Sequence, residues 1–350
     1  MQSPKEQEFR EFHHLNKKLD FPPNKSRSGE GGKLWYNRFI KKGGTMYSGH
    51  LNDVRGMAVG HREDEAKGTG VTVILPPEGS TAGADVRGGA PGTRECILLQ
   101  PTYAVDQVHA LVLSGGSAFG LDSATGVMEG LRDDGVGFDV GVGVVPIVPA
   151  AVLFDLAYKA SDAWPDKAMG RAAYEAASPS DRRQGSLGAG CGATVAKTMG
   201  FSYAKKSGIG SASIAVGDVV FSAMVAVNAF GHICDAETGD VLAAPEVKGR
   251  TLSVEEALLK GAVDFEKGKH QNTTLGVVAT NGRFTKTELC KLASTAHNGY
   301  AKSITPVHTG LDGDTIFSLA TNEVDCSMQL AEYYFPKVVA RAVANSIYSL

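Results

Sequence analysis

The chain has 350 residues, of which 43% are hydrophobic and 21% charged, and its formal net charge is −3. This balance is typical of a soluble globular protein and gives no electrostatic reason to expect a nucleic acid or an anionic membrane as a partner. The length is sufficient for one large domain or two ordinary ones, with an ample core in either case.

Cysteine usage and the N-terminal sequence favour a cytoplasmic location. Five cysteines are scattered along the chain without a C-x-x-C pair, which argues against a disulfide framework or a zinc site and fits a reducing compartment. The N-terminal residues are charged and lack the apolar core of a secretory signal. The best membrane candidate, residues 140–154, is too short for a helical span and contains Pro146 and Pro149.

The first half of the chain alternates between strand-like and helix-like segments. Residues 1–45 are polar and are predicted to form a peripheral or mobile arm, followed by one α/β domain over 46–350. Short apolar runs bounded by turn residues predict buried strands at 70–76 and 109–114. A helix is predicted within 115–131, where apolar residues recur on one helical face.

The second half continues this pattern. Further strands are predicted at 213–218, 219–231, 275–280 and 315–321. The dipeptide Asn281-Gly282 predicts a turn that ends the third of these strands, and the polar segment 266–271 before that strand predicts an exposed connector. A helix is predicted over 327–347, with Pro336 interrupting or kinking it.

Two further helix starts are marked by capping boxes. Ser253 is followed three residues later by Glu256, and Thr285 is followed in the same way by Glu288. In such a box the hydroxyl and the carboxylate each bind a backbone N–H that the first helical turn leaves unpaired. Helices are therefore expected directly after Ser253 and Thr285.

A glycine-rich segment at 185–200 resembles nucleotide-binding motifs without meeting their requirements. The preceding residues are polar and cannot supply the buried strand that a dinucleotide site needs. Ala196 stands where a P-loop has the glycine before Lys197. We favour a glycine-rich helix start packed closely against another backbone.

The segment GGSAFG around Ser117 resembles a nucleophile elbow, but Phe119 replaces the second glycine of that motif. A serine hydrolase of this kind also needs a histidine, for which His308 in TPVHTG is the best candidate. A loop histidine with structural contacts is the simpler interpretation of His308.

The junction at Asn272–Thr273 has three possible interpretations. It is a glycosylation sequon, an ordinary strand start, or a bond that the chain cuts itself. A sequon has a role only in secreted chains, which the N-terminal sequence argues against. Self-cleavage would give Thr273 a free α-amine that acts as a base near neutrality beside its own hydroxyl. A polar, accessible connector running into a buried strand suits such a bond, although pattern alone favours a plain strand start.

Six ordered segments support the third interpretation through a family resemblance. They are VRGGAPGTRE (86–95), LSGGSAFGLDSATGV (113–127), VPAAVLFDL (148–156), GAGCGATVAK (188–197), LGVVATNG (275–282) and HTGLDGDTIFSLAT (308–321). Together they resemble the family of L-aminopeptidase/D-esterases and β-aminopeptidases. Within it, the junction and the DGD stretch look most similar to the nylon-oligomer endohydrolases, which act on 6-aminohexanoate oligomers. The resemblance implies an α-β-β-α sandwich, shared with the ornithine acetyltransferases.

The resemblance also implies roles for individual residues. Thr273 matches a nucleophile that becomes the N-terminus of a chain spanning 273–350, after autocleavage from 1–272. Asn228 matches an asparagine near the oxyanion, where its amide would donate a hydrogen bond. Lys197 matches a functional lysine, and its alternative is a solvated helix charge. Asp312 and Asp314 match a carboxylate pair that would orient the amine, with Lys197 or the Thr273 ammonium between them.

One residue departs from the pattern expected of relatives. Phe154 stands where a tyrosine hydroxyl is expected near the site, so a hydrogen-bond donor is missing and the pocket becomes more apolar. The implied protein is an amidohydrolase of peptides or aliphatic oligoamides that works through an acyl-enzyme, without metal or cofactor, as a tetramer of processed heterodimers. The alternatives are an acyltransferase of the ornithine-acetyltransferase type and an unprocessed, non-catalytic binding homologue.

Overall fold

Two five-stranded β-sheets dominate the computed structural model of the protein, which describes residues 45–259 and 272–350. The predicted connector at 266–271 and, except for Thr45, the predicted arm at 1–45 lie outside the described residues. The first sheet has the strand order β1 (Ala58–Asp64), β2 (Thr69–Leu75), β5 (Leu111–Ser114), β8 (Ala150–Val152) and β4 (Gly92–Arg94). The second has the order β11 (Ile209–Val216), β12 (Val219–Asn228), β17 (Thr273–Gly282), β19 (Thr315–Val324) and β3 (Thr81–Val86).

Smaller elements surround the two sheets. A three-stranded sheet contains β14 (Val241–Ala243), β13 (His232–Cys234) and β18 (Ile304–Thr305). Two-stranded pairs are β6 (Phe138–Asp139) with β7 (Val144–Val145), β9 (Thr194–Val195) with β10 (Lys205–Lys206), and β15 (Glu246–Val247) with β16 (Arg250–Thr251). The α-helices are α1 (Ser123–Asp133), α2 (Lys167–Glu175), α3 (Val254–Leu259), α4 (Lys286–Ser303) and α5 (Met328–Tyr348). Short 3-10 helices span Leu51–Asp53, Cys96–Leu99, Ser117–Asp122, Gly188–Gly190 and Phe201–Tyr203. No helix in the described ranges is long and apolar enough to cross a membrane.

Side chains alternate between the two faces of each central strand, and this alternation builds four layers. On β17, Leu275 and Val277 lie in the cluster between the two sheets, which also contains Leu113 of the first sheet. Val278 lies on the opposite face, in the cluster shared with α4 and α5. A third cluster places Val112 of the first sheet against α1 and α2. The predicted α-β-β-α sandwich is confirmed.

The apolar runs predict the strands well, with one error at the end of β17. Asn281 and Gly282 do not form a turn, because β17 continues through both residues with a register shift beside them. The side-chain amide of Asn281 is used on the neighbouring β11–β12 hairpin instead. Its Oδ1 accepts from the N–H of Val220 at 2.8 Å, and its Nδ2 donates to the carbonyl of Asp218 at 2.8 Å.

Both capping boxes are present as predicted. Ser253 and Glu256 exchange hydrogen bonds of 3.1 Å before α3, and Thr285 and Glu288 form the reciprocal pair before α4. The helix predicted over 327–347 is also present, but it runs through Pro336 without interruption. Local signals therefore place the helix starts correctly because the capping bonds join residues only three apart.

Replacing Thr285 with alanine is expected to lower the free energy of unfolding by about 1 kcal/mol, because the N–H of Glu288 loses its cap. Chemical denaturation of both proteins measures the difference. Thr295→Ala in the same helix is the matched control and should change stability far less, since among the described residues its hydroxyl bonds to the carbonyl of Lys291 and caps no helix end. Equal losses in the two variants would contradict the capping role.

Candidate active site

Thr273 is the first residue of β17 and lies directly opposite Asn228, the last residue of β12. The alternation along β17 places Thr273 on the same face as Leu275, toward the first sheet. Asn228 shares the face of Met224 and Ala226, which also points between the sheets. The antiparallel register therefore brings the predicted nucleophile and the predicted amide donor together.

The Asn272–Thr273 bond is buried, with Asn272 only 1% and Thr273 only 3% exposed. Asn272 pairs with the segment before β19: its N–H donates to the carbonyl of Leu311 at 2.9 Å, and its carbonyl accepts from the N–H of Gly313 at 3.0 Å. The Thr273 hydroxyl donates to that same carbonyl oxygen. The expectation of an accessible junction is wrong, because the preceding backbone already belongs to a β-bridge.

Hydrogen bonds fix the orientation of the buried Asn228 side chain. Its Oδ1 accepts from the Thr194 N–H at 3.0 Å and from the Lys197 ammonium at 2.9 Å. Two donors on this atom require it to be the oxygen of the amide. The Nδ2 donates to the carbonyl of Phe154 at 2.8 Å.

Lys197 is a buried residue between strands and does not lie on a helix, so the alternative of a solvated helix charge is wrong. Its ammonium also donates to the Asn228 carbonyl at 3.2 Å. Burial lowers the pKa of Lys197 to about 7, although the charges of Asp312 and Asp155 act in the opposite direction. Lys197 bonds to Asn228 rather than bridging the two aspartates of the pair.

Asp312 and Asp314 lie in the segment that pairs with Asn272, and both are buried. Asp312 accepts from the backbone N–H and the hydroxyl of Thr309 at 2.8 and 2.6 Å. Burial, followed by the charge of Asp314, raises the pKa of Asp312 to about 6. Asp314 accepts from the N–H of Thr274 at 2.7 Å and from the His308 ring at 2.8 Å. The two carboxylates are therefore close but anchored to different partners.

A cavity of about 260 Å³ opens onto Thr273. Its other lining residues are Ala90–Gly92, Ser117, Ala118, Val152 and Phe154. Pro91, Val152 and Phe154 contribute apolar side chains to this lining, beside the hydroxyl groups of Ser117 and Thr273. The backbone of Phe154 serves a second purpose that does not depend on its side chain, because its carbonyl holds Asn228.

The glycine-rich segment at 185–200, Ser117 and His308 were not assigned a catalytic role from the sequence, and the structure shows where each lies. The glycine-rich segment contains only a 3-10 turn and a two-residue strand, not the expected helix start. Its close packing is confirmed, since a Cβ at Gly190 would lie 2.3 Å from the backbone nitrogen of Ile209. Ser117 has a φ of +54° and lines the cavity, and His308 contacts Asp314. Neither residue completes a serine-hydrolase triad.

Sequence reasoning missed three residues that shape the site. Gly313 binds the carbonyl at the junction through its backbone, and Thr194 orients the Asn228 amide. Asp155 is buried, accepts from the Thr69 hydroxyl at 2.8 Å and from the Gly116 N–H at 2.7 Å, and has its pKa raised by burial to about 6. Asp155 directly follows Phe154, and a carboxylate directly after an apolar run was the signal that the sequence offered.

Comparison with known proteins gives consistent results. The model of peptidase family S58 matches residues 49–349. An uncharacterised aminopeptidase of Mycobacterium tuberculosis is 39% identical over 289 residues, covering 78% of this chain and 82% of the relative. A 6-aminohexanoate-oligomer endohydrolase of a Kocuria species is 33% identical over 278 residues, covering 78% of this chain and 75% of the relative.

A solved structure shows the same fold. It is the L-aminopeptidase D-Ala-esterase/amidase of Ochrobactrum anthropi, described as a variant of the Ntn hydrolase fold, with a TM-score of 0.64 at 17% identity over 88% of each chain. The resemblance seen in the sequence is confirmed, and with it the prediction of an enzyme that hydrolyses amide bonds. The chain belongs to peptidase family S58.

Proposed function

We propose that this protein is an autoprocessed amidohydrolase whose nucleophile is Thr273. The observation that carries the proposal is the arrangement around the Asn272 carbonyl. That carbonyl oxygen accepts from the Gly313 N–H at 3.0 Å and from the hydroxyl of Thr273, the residue on the other side of the peptide bond. A nucleophile and an oxyanion donor thus meet at one buried amide.

Processing follows from this geometry. The Thr273 oxygen attacks the Asn272 carbonyl carbon, the bond to the Thr273 nitrogen breaks, and the hydroxyl proton ends on the released amine. The Gly313 N–H stabilises the negative charge that develops on the carbonyl oxygen. Water then hydrolyses the ester, which frees Asn272 as a carboxylate and restores the Thr273 hydroxyl.

Hydrolysis of substrate uses the product of processing. The free Thr273 amine accepts the hydroxyl proton while the oxygen attacks the substrate amide, and it passes that proton to the departing amine. Water then repeats these steps on the acyl-enzyme. Asn228 supplies the oxyanion donor through its second Nδ2 hydrogen, since Thr194 and Lys197 hold its oxygen turned away. Asp312 and Asp314 orient the amine.

The cavity supports a substrate with an aliphatic or small apolar segment beside the cleaved amide. Pro91, Val152 and Phe154 supply the apolar part of its lining, against which an aliphatic segment can pack. Peptides and aliphatic oligoamides both meet this requirement. The name of the Kocuria relative, a 6-aminohexanoate-oligomer endohydrolase, favours oligoamides. The proposal includes a cytoplasmic location, which the five free cysteines support. It also includes assembly as a tetramer of processed heterodimers.

An acyltransferase would share the nucleophile but pass the acyl group to an amine instead of water. Incubating the protein with a short aliphatic amide, with and without an added primary amine, separates the two activities by the ratio of free acid to new amide. An unprocessed binding homologue would give neither product.

The first prediction for this function is self-cleavage between Asn272 and Thr273. Intact-mass measurement should find chains of 272 residues and, by 350 − 272, of 78 residues. Thr273→Ala should remain one full-length chain because the hydroxyl is gone, whereas Thr273→Ser should still be cut. A wild-type protein that stays intact after long incubation would overturn the mechanism.

The second prediction concerns Gly313. A Cβ at this position would lie 2.7 Å from the Thr273 hydroxyl oxygen and 2.8 Å from the Ala90 carbonyl oxygen, so Gly313→Ala should displace the N–H from the Asn272 carbonyl. We expect processing to slow by at least about 10-fold, followed as the full-length fraction over time. Gly310→Ala in the same loop is the matched control, because its Cβ would meet no atom within 4 Å. Equal processing rates in the two variants would exclude the role of Gly313.

The third prediction concerns Asn228. Asn228→Ala should lower kcat by about 100- to 1,000-fold, as expected when an oxyanion donor is lost. Rates are divided by the processed fraction from intact mass, so that incomplete cleavage is not mistaken for slow turnover. Asn298→Ala, at an exposed position of α4, is the control and should keep its activity. Unchanged turnover in Asn228→Ala would remove this residue from the oxyanion site.

A further inference from the structure

A second group of polar residues lies behind the nucleophile strand, on the face that packs against α4. It consists of Thr274, His297, Tyr300, His308 and Asp314, and we call it the rear polar cluster. The ring centroids of His297 and His308 are 4.8 Å apart, and those of His297 and Tyr300 are 5.3 Å apart. Thr274, His297 and Tyr300 are fully buried.

Gly276 allows the Tyr300 hydroxyl to approach the strand. A Cβ on Gly276 would lie 2.3 Å from the Tyr300 oxygen, so only glycine leaves room for it. Gly276 and Thr274 are two residues apart on β17 and face the same side. The phenol of Tyr300 therefore ends beside the strand that carries Thr273, on the face that also carries Thr274.

Asp314 joins this cluster to the active site. One carboxylate oxygen accepts from the Thr274 N–H at 2.7 Å. The other accepts from the His308 backbone N–H at 3.1 Å and from His308 Nδ1 at 2.8 Å. His308 has a φ of +57°, in the left-handed region where Asn, Asp and His are the most frequent residues after glycine.

These contacts assign the hydrogens of both imidazoles. His308 carries its hydrogen on Nδ1, which faces a carboxylate, so its Nε2 offers a lone pair when the ring is neutral. His297 carries its hydrogen on Nε2, which faces the Asp85 carbonyl at 3.1 Å, so its Nδ1 offers a lone pair. Burial lowers the pKa of His297 to about 4, which keeps that ring neutral at pH 7.

Four buried polar atoms of the cluster have no hydrogen-bond partner among the described residues. They are the hydroxyls of Thr274 and Tyr300, His297 Nδ1 and His308 Nε2. Leaving such a group unsatisfied is unfavourable, because it gives up its hydrogen bonds to water without gaining a replacement. Two of these atoms are hydroxyl oxygens that can donate a hydrogen bond, and the other two are nitrogens that can accept one. A water molecule matches this set, because it can accept two hydrogen bonds and donate two.

We propose that the rear polar cluster binds a buried water molecule, which donates a hydrogen bond to His308. His308 is then a positioning residue that fixes Asp314 against the Thr274 backbone. The inference rests on the proposed function, because its consequence is for the nucleophile. Once Asn272 has been cut away, Thr273 has lost its covalent anchor on one side. The bond from Asp314 to the next peptide N–H then helps to hold the free chain end in place.

This role predicts a larger effect on turnover than on processing, because the intact chain still holds Thr273 from both sides. His308→Ala removes the ring and should lower kcat by about 10- to 100-fold with a smaller change in KM, while intact mass still shows complete cleavage. His308→Asn should recover most of kcat, since asparagine tolerates positive φ and keeps a side-chain N–H donor toward Asp314. Equal losses in the two variants, or no loss in His308→Ala, would overturn the positioning role.

Tyr300→Phe tests the water site without changing a residue of the loop that contains His308. A crystal structure of the wild-type protein should show a density peak within hydrogen-bond distance of the four orphan atoms, and the peak should weaken in Tyr300→Phe. Tyr333→Phe, at a residue 64% exposed on α5, is the matched control. Absence of a peak in the wild type would overturn the water site. A chain that is never cut would instead refute the proposed function, and the crystallographic result would still decide whether water is bound.

Discussion

The register between β12 and β17 is the constraint on which the site depends. It places Asn228 opposite Thr273 with both side chains facing the first sheet. Because side chains alternate with a period of two, a slip by one residue would turn Thr273 toward α4 and bury Leu275 in the wrong layer. Apolar residues on both faces of β17 resist such a slip, since each belongs to a different core cluster. Core packing and active-site geometry are therefore set by the same alternation.

Close backbone approach is the second requirement, and glycines meet it. Gly88 lies against the backbone of Asp312, where a Cβ would come within 2.1 Å of the carbonyl oxygen. Gly313 lies against the Thr273 hydroxyl in the same way. The segment that carries the two aspartates can pair with Asn272 only because these positions lack side chains. This pairing gives the Asn272 carbonyl a backbone donor, the N–H of Gly313.

Much of the fold could be predicted from the sequence because its signals are local. Apolar runs indicate the central strands, and the pairs Ser253–Glu256 and Thr285–Glu288 mark helix starts through bonds between residues three apart. The site residues have no such local signal, and only the resemblance of the chain to a known family indicates them. The predictions that failed concern residues with partners far away in the chain. The Asn272 junction was expected to be accessible, but it is buried against Leu311 and Gly313. The alternative of a solvated charge at Lys197 is wrong because this residue is buried against Asn228. A polar residue gives no sign in the sequence of whether such a partner will enclose it.

Burial also bears on the proposed use of the Thr273 amine as a base. Two ionised aspartates beside it would favour its protonated form, which cannot accept a proton. The ordinary pKa values of a carboxyl and a lysine amine differ by about six. Here burial brings the pKa of Asp312 up to about 6 and that of Lys197 down to about 7. The raised pKa brings protonation of Asp312 close to neutrality, whereas a carboxyl with an ordinary pKa would be fully ionised there. In the proposed mechanism, burial of Asp312 therefore weakens a charge that would otherwise hold the Thr273 amine in its protonated form.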